Sequence, residues 1–589
     1  MISTAALLVL GTAGVFAQTK SGEFSNNSAQ DTVNVIVRFR SSPDQAGFKR
    51  FVSRGAQHQH FFASIGASLF TVSANDLDLL AADPEVESMA IDHPLRATAY
   101  DGAPDYGWMT ALELGSGGTN SSLDGSGIGV AVIDSGISTV NTVNQDLRGW
   151  NSWSRVVYNE SFVPGNSSAS DAYGHGTHVA GLIAGNGSAS TGPQSDYLVR
   201  GLAPNVNLIN LRVLDANGQG SDSSVIAAIE RAIQLKSKYN IRVINLSLGR
   251  PVFESFSKDP LCQAVEQAWK AGLVVVVAAG NDGRNNSAGT NGYATINSPG
   301  NDPYVITVGA MNTEDTLGRS DDRVTSYSSK GPTLFDHFAK PDLVAPGNQM
   351  ISLRQPGSTL DVQYPQNQVA EGVYMKGNGQ AVGSYFMLSG TSMATAVVSG
   401  AAALLLQHNP GLSPDTVKAR LMKSATKFPQ MTSTVTDSTT GQKYTSQYDV
   451  FTVGAGYLNV PGALAESDVV SQAALSPVAA PDPKSNNVYL VSANSAIWGS
   501  SAIWGSSAIW GSSAIWGSSA IWGSSAIWGS SAIWGSSAIW GSSAIWGSSA
   551  IWGSSAIWGS SAIWGSSAIW GSSLIWGSSV EPISISGEK

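Results

Sequence analysis

Five strongly apolar segments limit the folds open to this chain more than any other feature. They lie between residues 127 and 310 and read GIGVAVID, VNLINLRVL, IRVINLSL, LVVVVAAG and YVITVGA. Apolar runs without polar alternation suit strands that are covered on both faces, as in a parallel sheet. Helical patterns separate them, and this alternation is typical of βαβ units. The sequence therefore predicts a doubly wound α/β domain over residues 104–465.

Two of the intervening segments carry clear helix signals. SSVIAAIERAIQLKSK has an apolar stripe with charges on the opposite face. LSPDTVKARLMKSA offers Ser413 as an N-cap and Pro414 as the first helical residue. In doubly wound sheets, ligands bind beyond the carboxyl ends of the strands. We therefore expect functional residues in the loops that follow the apolar strands.

The residues before 104 divide into two further parts. Residues 1–17, MISTAALLVLGTAGVFA, are typical of a secretory signal peptide, with small residues at a suitable cleavage position and a run too short to span a membrane. Residues 31–96 alternate strand-like and helical patterns, with a polar helical stretch after the first strand, and predict a small α+β domain. Residues 97–103 suit an exposed, cleavable linker.

The C-terminal part has a low-complexity sequence. Residues 466–492 have the Pro, Ala, Ser and Asp composition of a linker. Residues 493–579 contain thirteen copies of AIWGSS followed by one LIWGSS. On a strand, a period of six places every Trp on one face, so a β-solenoid is one interpretation. A largely disordered Gly/Ser chain with spaced aromatic residues is the favoured one, with possible contacts to a cell surface, to glycan or to itself.

Charge and cysteine content exclude some function classes. The net charge of −10 and the pI near 5.2 argue against a nucleic-acid partner, because no basic patch stands out to neutralise phosphates. Cys262 is the single cysteine, so no internal disulfide can form. Its helical surroundings favour a buried, hydrophobic role over a catalytic thiol.

Three short motifs place reactive side chains in the predicted loops. Asp134 ends an apolar strand in AVIDSGI, His175 lies between two glycines in DAYGHGTHVAG, and Ser392 follows a glycine turn in SGTSMATA. A serine hydroxyl needs an adjacent imidazole as base, and that imidazole needs a carboxylate to fix its tautomer. A fourth motif, VVAAGNDG, supplies Asn281, whose amide can donate to an oxyanion beside the backbone N–H of Ser392. Each motif alone is an ordinary turn or cap, but together they predict nucleophilic catalysis.

These motifs resemble those of the subtilisin-like serine proteases. VAVIDSGI, GHGTHVAG, AAGNDG, KPDLVAPG and SGTSMA match that family in type, order and rough spacing over residues 104–465. The order Asp, His, Ser is also that of subtilisin. The resemblance implies a subtilisin-like fold with Asp134 orienting the base, His175 as general base and acid, Ser392 as nucleophile and Asn281 as oxyanion donor.

The same resemblance implies the partners of the site. Protein or peptide substrates would pair as an extended strand with two segments that also line the side-chain pocket: Ser247, Leu248 and Gly249, and Ala278, Ala279 and Gly280. Residues 31–96 resemble the inhibitor propeptides of the family, so the chain's own propeptide would block the cleft until cleavage near residues 97–103. The expected protein is a secreted endopeptidase made as a zymogen.

Several positions depart from the family pattern. Ala396 and Val397 stand where the family usually has Pro and commonly has His, and we expect activity to survive because Ala is a good helix former. The connection from residue 347 to residue 390 is long and predicts an inserted hairpin near the cleft. No cofactor is needed for the chemistry and no metal ligand is assigned. Asp146 matches a calcium-ligand position, but the loop GNGSASTGPQSDYLVRG does not match its partner loop, so structural calcium is left doubtful.

Two other function classes fit parts of the sequence. A catalytically dead scaffold could display the Trp-rich tail as an adhesin, yet such a scaffold would be free to lose Asp134, His175 or Ser392, and all are present. A metal-dependent hydrolase could use His175 and His178 as ligands but lacks an obvious third ligand. The resemblance instead assigns His178 to packing.

Overall fold

A computed structural model describes much of the chain as two compact units, residues 1–92 and 93–589. The described residues are 32–40, 52–83, 85–97, 123–138, 145–149, 152–287, 289–314, 316, 319–377, 381–428, 432–437, 440–481 and 488–491. The expected signal peptide, most of the cleavable linker and the hexapeptide repeat lie outside these residues.

The described part of the first unit is built on an antiparallel sheet, with a short helix before its last strand. Its elements are β1 (Thr32–Phe39), β2 (Gln57–Phe62), β3 (Ala67–Ser73), α1 (Leu77–Ala81) and β4 (Val86–Ile91). The strand order is β2-β3-β1-β4. Alternate residues of β1 and β3 face a core that includes Val35, Val37, Phe70 and Leu80. Because a strand has a period of two, this alternation buries one face of the sheet.

One expectation for this unit is met only in part. Residues 52 and 53 of the stretch expected to be a polar helix are helical, but Gln57–Phe62 is strand β2 and pairs antiparallel with β3. The sequence QHQHFF carries too little apolar periodicity to predict either structure. Pairing with β3 decides the outcome, and the His58 ring also packs edge-on against Phe70 with centroids 5.3 Å apart.

The second unit contains the predicted alternation of strands and helices. Its strands are β5 (Pro94–Ala97), β6 (Gly129–Asp134), β7 (Val156–Ser161), β8 (Asn207–Arg212), β9 (Gln219–Ser221), β10 (Ile241–Leu246), β11 (Leu248–Gly249), β12 (Val274–Ala278), β13 (Ile306–Asn312), β14 (Arg323–Val324), β15 (Leu343–Pro346), β16 (Met350–Leu353), β17 (Gln368–Ala370), β18 (Val382–Leu388), β19 (Thr432–Thr436), β20 (Lys443–Gln447), β21 (Val478–Pro481) and β22 (Val488–Val491).

Most of the described helices of this unit begin after a capping Ser, Asp or Asn side chain, and two begin after a glycine. The helices are α2 (His175–Ala184), α3 (Asp222–Tyr239), α4 (Pro260–Lys270), α5 (Thr359–Gln363), α6 (Thr391–His408), α7 (Pro414–Ser424) and α8 (Val460–Ala465). Ser413 caps α7 by accepting a hydrogen bond from Thr416 N, with Pro414 at the first turn, as predicted. None of the helices in the described ranges is long and apolar enough to cross a membrane.

The central sheet confirms the mostly parallel α/β architecture. In the described part of the chain its order is β14-β13-β12-β10-β6-β8-β7, with β15 beside β13, and all pairs are parallel except β13 with β14. Each of the five apolar segments contributes one strand, β6, β8, β10, β12 or β13. Every residue of β6 and of β12 is buried, because helices cover both faces.

The parallel strands bring the loops that carry the predicted functional residues to one side of the sheet. Parallel neighbours β6, β10 and β12 end at Asp134, Leu246 and Ala278, so the residues that follow them lie at the same side of the sheet. The helices α2 and α6 begin at that side. The far end of α2 is closed by the loop after it, because the backbone N–H groups of Leu202 and Ala203 donate to the carbonyls of Leu182 and Ile183.

Part of the expected linker 466–492 is folded against this unit. Ser476 is buried, and its hydroxyl donates to Asp342 Oδ1 over 2.6 Å. The ammonium of Lys418 lies 3.0 Å from Ser476 Oγ and 3.2 Å from Asp342 Oδ1. A buried carboxylate and a buried ammonium stabilise each other only when both are hydrogen-bonded, and this C-terminal segment supplies one of those bonds. Composition alone did not indicate that contact.

Candidate active site

Asp134 and His175 form a buried pair. His175 Nδ1 lies 2.8 Å from Asp134 Oδ1, and both side chains have no exposed surface. A carboxylate accepts hydrogen bonds, so Nδ1 carries the proton and Nε2 is left with its lone pair. Ser135 N also donates to Asp134 Oδ1 over 2.7 Å, which fixes the carboxylate at the end of β6. The pair therefore has the tautomer that a general base requires.

Close backbone approach brings the two elements together. A Cβ atom on Gly176 would lie 2.2 Å from Gly136 O and 3.1 Å from Asp134 Oδ1. Gly174, just before His175, has φ of 106°, a left-handed conformation that glycine adopts without strain. The glycines on both sides of His175 therefore serve the close approach that the sequence predicts.

Asp171 positions the helix that carries His175, and the sequence analysis missed it. Its Oδ1 accepts hydrogen bonds from Gly174 N over 2.7 Å and from Ser135 Oγ over 2.9 Å, and its Oδ2 accepts one from Thr177 N over 2.8 Å. Burial raises the pKa of this carboxyl, against the lowering effect of those bonds. An Asp just ahead of a helix is a signal for capping, but the bond that ties it to Ser135 is visible only in the fold.

Ser392 lies at the second position of α6, in the first turn, where backbone N–H groups can donate to groups outside the helix. Its hydroxyl donates to Ser247 O over 3.0 Å. His175 Nε2 is buried and makes no hydrogen bond within the described residues. The contact between Asp134 and His175 is thus formed, and the Ser392 hydroxyl bonds to Ser247 O and not to His175 Nε2.

Asn281 is held beside the start of α6 through its amide oxygen. Oδ1 of Asn281 accepts from Thr391 N and from Thr391 Oγ1, each over 3.0 Å. Gly280 N in turn donates to Thr391 Oγ1 over 3.2 Å. Since Oδ1 is engaged as an acceptor, Nδ2 is the donor end of this amide. The arrangement brings an amide donor and the Ser392 N–H to the same loop junction.

A series of three hydrogen bonds fixes the carboxyl end of β10 beside Ser392. Ser399 Oγ donates to Asn245 Oδ1, Asn245 Nδ2 donates to Ser247 Oγ, and Ser247 Oγ donates to Ser392 O, each over 2.9 Å. These residues come from β10, the following turn and α6. The sequence analysis missed Asn245 and Ser399, since neither belongs to a short motif and only the fold places them together.

The predicted substrate-binding segment at Leu248 and Gly249 is occupied by the chain itself. Strand β5 pairs antiparallel with β11, with Leu248 opposite Ala97 and Gly249 opposite Arg96. On its other side β5 pairs antiparallel with β9, so it is the middle strand of a three-stranded sheet. Ser247 directly follows β10, and its backbone carbonyl accepts a hydrogen bond from the Ser392 hydroxyl. An extended segment therefore lies in this sheet with its C-terminal end towards Ser247, which contacts Ser392.

The second predicted substrate-binding segment, residues 278–280, forms its backbone hydrogen bonds within the protein. Ala279 N donates to Val308 O and Ala279 O accepts from Asn297 N, each over 3.0 Å, and Gly280 takes a φ of 107°. The backbone groups of Ala279 therefore bond within the protein. Ala278 and Ala279 lie next to the site as buried small residues. Ala278 pairs with Val308 of β13, and in the described structure no strand from outside the central sheet pairs with either residue.

His178 serves packing, as the resemblance implies. Its Nε2 lies 2.9 Å from Met350 O and 3.1 Å from Phe386 O, so it donates to carbonyls of β16 and β18. Burial, with a smaller contribution from nearby His175, lowers the pKa of His178 to about 3. Among the residues described, no group of three or more His, Cys, Asp or Glu side chains is placed to hold a metal ion. The contacts of His178 do not fit the metal-hydrolase hypothesis.

The donors around Asp146 do not fit a calcium ion. Its Oδ1 accepts from Ala189 N over 2.6 Å and its Oδ2 accepts from the Tyr385 hydroxyl over 2.8 Å. The buried Arg155 guanidinium donates to the carbonyls of Asp146 and Ala184, each over 2.6 Å. Calcium needs six to eight oxygen ligands, whereas these oxygens already face protein donors and a fixed cation.

The long connection before α6 forms an antiparallel sheet, β16-β18-β17, with the short helix α5. Thr359 N and Leu360 N of α5 donate to the carbonyls of Ala172 and Tyr173, over 3.1 and 3.0 Å. The insertion therefore contacts the loop that leads to His175.

Ala396 lies fully buried within an unbroken α6, so the helix forms without the family proline.

Comparison with known proteins identifies the family of the chain. The subtilase family (Peptidase_S8) matches residues 125–456. Serine protease AprX of Bacillus subtilis (strain 168) is 40% identical over 311 residues, which cover 52% of this chain and 63% of AprX. Subtilisin E of the same organism is 34% identical over 415 residues, covering 68% of this chain and 89% of subtilisin E.

A solved structure is similar in fold. Fervidolysin from Fervidobacterium pennivorans, described as a keratinolytic enzyme related to subtilisin, aligns with a TM-score of 0.54 at 21% identity. The alignment covers 76% of this chain and 63% of that one. The chain belongs to the subtilase family of serine peptidases, which hydrolyse peptide bonds.

The low pKa of His178 predicts a loss of stability in acid. Folded His178 takes up a proton only near pH 3, whereas the unfolded side chain does so near pH 6.5. Between these values the unfolded state binds more protons, so the free energy of unfolding falls as pH falls, by up to about 1.4 kcal/mol per pH unit. Replacing His178 by Gln should make this slope shallower, as measured by urea denaturation from pH 7 to pH 4.5 in a Ser392→Ala background.

His408→Gln is the matched control, because His408 is exposed at the end of α6. It should leave the slope unchanged. Equal slopes in the wild type and in His178→Gln would show that another group controls the acid response.

The donors at Asp146 predict that this residue does not bind calcium. EDTA and millimolar Ca²⁺ should therefore shift the thermal unfolding midpoints of the wild type and of Asp146→Asn equally, because an ion stabilises the folded state only through a site that binds it. Tyr385→Phe should lower the free energy of unfolding by about 1–3 kcal/mol, since it removes a donor from the buried Asp146 carboxylate. Tyr197→Phe, at an exposed tyrosine, should change little. A midpoint that rises with Ca²⁺ in the wild type but not in Asp146→Asn would show that Asp146 is a calcium ligand.

Proposed function

We propose that the protein is a secreted serine endopeptidase, synthesised as a zymogen, that cleaves peptide bonds through an acyl-enzyme. The observation that carries the proposal is the buried contact between Asp134 and His175, formed beside a serine at a helix start. Membership of a serine peptidase family supports it. The proposal assigns catalysis to Asp134, His175, Ser392 and Asn281.

The side chains have distinct roles in this chemistry. The Ser392 hydroxyl turns from Ser247 O to His175 Nε2, which takes the proton as Oγ attacks the substrate carbonyl. Asp134 stabilises the imidazolium that forms. Asn281 Nδ2 and the Ser392 N–H donate to the oxyanion of the tetrahedral intermediate. His175 then protonates the leaving amine, and the same groups assist water in the hydrolysis of the acyl-enzyme.

The position of strand β5 supports self-inhibition. This extended segment pairs with β11 on one side and β9 on the other, as a substrate strand would in the proposed mode of binding. We infer that residues 31–96 act as an inhibitor propeptide and that cleavage falls within residues 97–103. The early part of this range is favoured, because Ala97 already lies opposite Leu248, the neighbour of Ser247.

The proposed location and further partners of the protein are argued from its N-terminal and C-terminal segments. Residues 1–17 support export through a signal peptide, and residues 466–492 support a spacer before the repeat. Protein or peptide substrates fit the strand-pairing site. The exposed Trp residues expected in residues 493–579 support contacts of the repeat with a cell surface, with glycan or with other copies of itself.

Substitution of the nucleophile tests the proposal. Ser392→Ala should remain full length on expression, whereas the wild type should lose the N-terminal segment at a bond within residues 97–103. Asn281→Leu should slow processing and peptide hydrolysis by about 10²–10³-fold, a magnitude established on subtilisin itself. Mass spectrometry of the chain termini and a peptide-hydrolysis assay measure both effects.

Ser126→Ala is the matched control, because this serine is exposed in a turn away from the motifs. It should process as the wild type does. Normal processing of Ser392→Ala would refute the proposal. A wild type that stays intact and hydrolyses no peptide would favour the catalytically dead scaffold.

A further inference from the structure

The residue that precedes β5 is held as firmly as the strand itself. Asp222 N donates to His93 O over 3.0 Å, which extends the pairing of β5 with β9 by one step. His93 and Leu95 are buried while Pro94 and Arg96 are exposed, as expected for alternate residues of a strand. Two side chains of this segment, two positions apart, therefore point into the protein.

The two side chains, His93 and Leu95, pack against different parts of the protein. Leu95 packs beside Gly220, where a Cβ atom would come within 3.3 Å of Leu95 Cδ1. The His93 ring stacks on Phe253, with ring centroids 4.1 Å apart and planes inclined by 24°. A stack this close and this parallel is a ring-on-ring contact that an aliphatic side chain cannot reproduce.

The surface that receives His93 is rigid. Phe253 lies under the guanidinium of Arg250, which is 5.5 Å from the ring centroid. Arg250 Nε donates to both carboxylate oxygens of Asp222, over 2.9 and 3.0 Å, and Nη2 donates to Asp259 Oδ1 over 2.8 Å. All three charged side chains are buried, so the ring is supported by a fixed ion cluster.

The charges of this cluster also affect which side chains can lie against Phe253. Two carboxylates face one guanidinium, so the surroundings of Phe253 carry a net negative charge when all three are ionised. A neutral ring or an imidazolium is compatible with that field, whereas an acidic side chain is disfavoured.

We propose that Phe253, with Arg250 and Asp222 behind it, forms a subsite that selects an aromatic or imidazole side chain in the substrate. That side chain lies two positions before the residue that takes the place of Leu95. The inference rests on the proposed function, because it assumes that substrates bind as β5 does. It extends recognition beyond the segment that pairs with Leu248 and Gly249.

Peptides copied from the chain test the subsite. The reference substrate spans residues 91–103, IDHPLRATAYDGA, and its variants carry Ala, Phe or Asp at the position of His93. With the full-length protein after self-processing, the Ala and Asp peptides should have a kcat/KM about 2–10-fold lower than the reference, chiefly through KM. The Phe peptide should match the reference.

Two enzyme variants locate the effect. Phe253→Ala should cleave the His and Ala peptides with equal kcat/KM. Phe256→Ala is the matched control, because Phe256 is also half-buried and three residues along, yet its ring packs on Phe338 instead. It should keep the wild-type preference for His over Ala.

The possible results separate the two proposals. Equal cleavage of the His and Ala peptides by the wild type overturns the subsite, and so does a preference that persists in Phe253→Ala. Failure to cleave the reference peptide while the same sample hydrolyses denatured casein also overturns the subsite alone. If neither casein nor any peptide is hydrolysed, the proposed function itself fails.

Discussion

A buried hydrogen bond of 2.8 Å joins Asp134, at the carboxyl end of β6, to His175, the first residue of α2. Strand and helix can meet this closely because Gly176 has no Cβ atom to strike the backbone of Gly136. Inside a fully buried site, such a bond is stronger than in water, and it selects one tautomer of the imidazole. Asp171 holds the start of the same helix, so the geometry of the base depends on a small set of polar contacts.

The other proposed catalytic groups are brought to this pair by the parallel sheet. Strands β6, β10 and β12 end at one side, and α6 brings Ser392 to that side between Ser247 and Asn281. Hydrogen bonds between the start of α6 and the loops after β10 and β12 fix the oxygen of Asn281 and the carbonyl of Ser392. The fold therefore holds these groups in place, and in the proposed mechanism the serine hydroxyl is the group that turns.

Much of this arrangement is predictable from local sequence. Apolar runs without alternation identify β6 and its neighbours, because a strand covered on both faces leaves no position for polar side chains. Asp134, His175 and Ser392 stand in short motifs whose chemistry is recognisable together. By contrast, the bond of Asp171 to Ser135 and the hydrogen bond from Tyr385 to Asp146 depend on partners far along the chain, and β2 depends on pairing with β3 rather than on an apolar pattern of its own. Such contacts leave no local pattern, so the sequence analysis missed them.

Covalent labelling tests the central claim most directly. A serine-directed phosphonate reacts only with a hydroxyl activated by a neighbouring base. After reaction and digestion, mass spectrometry should find one adduct, on Ser392, among all the serines of the protein. His175→Ala should abolish this adduct without unfolding the chain. Absence of an adduct from the processed wild type, or its presence on another serine, would contradict the account.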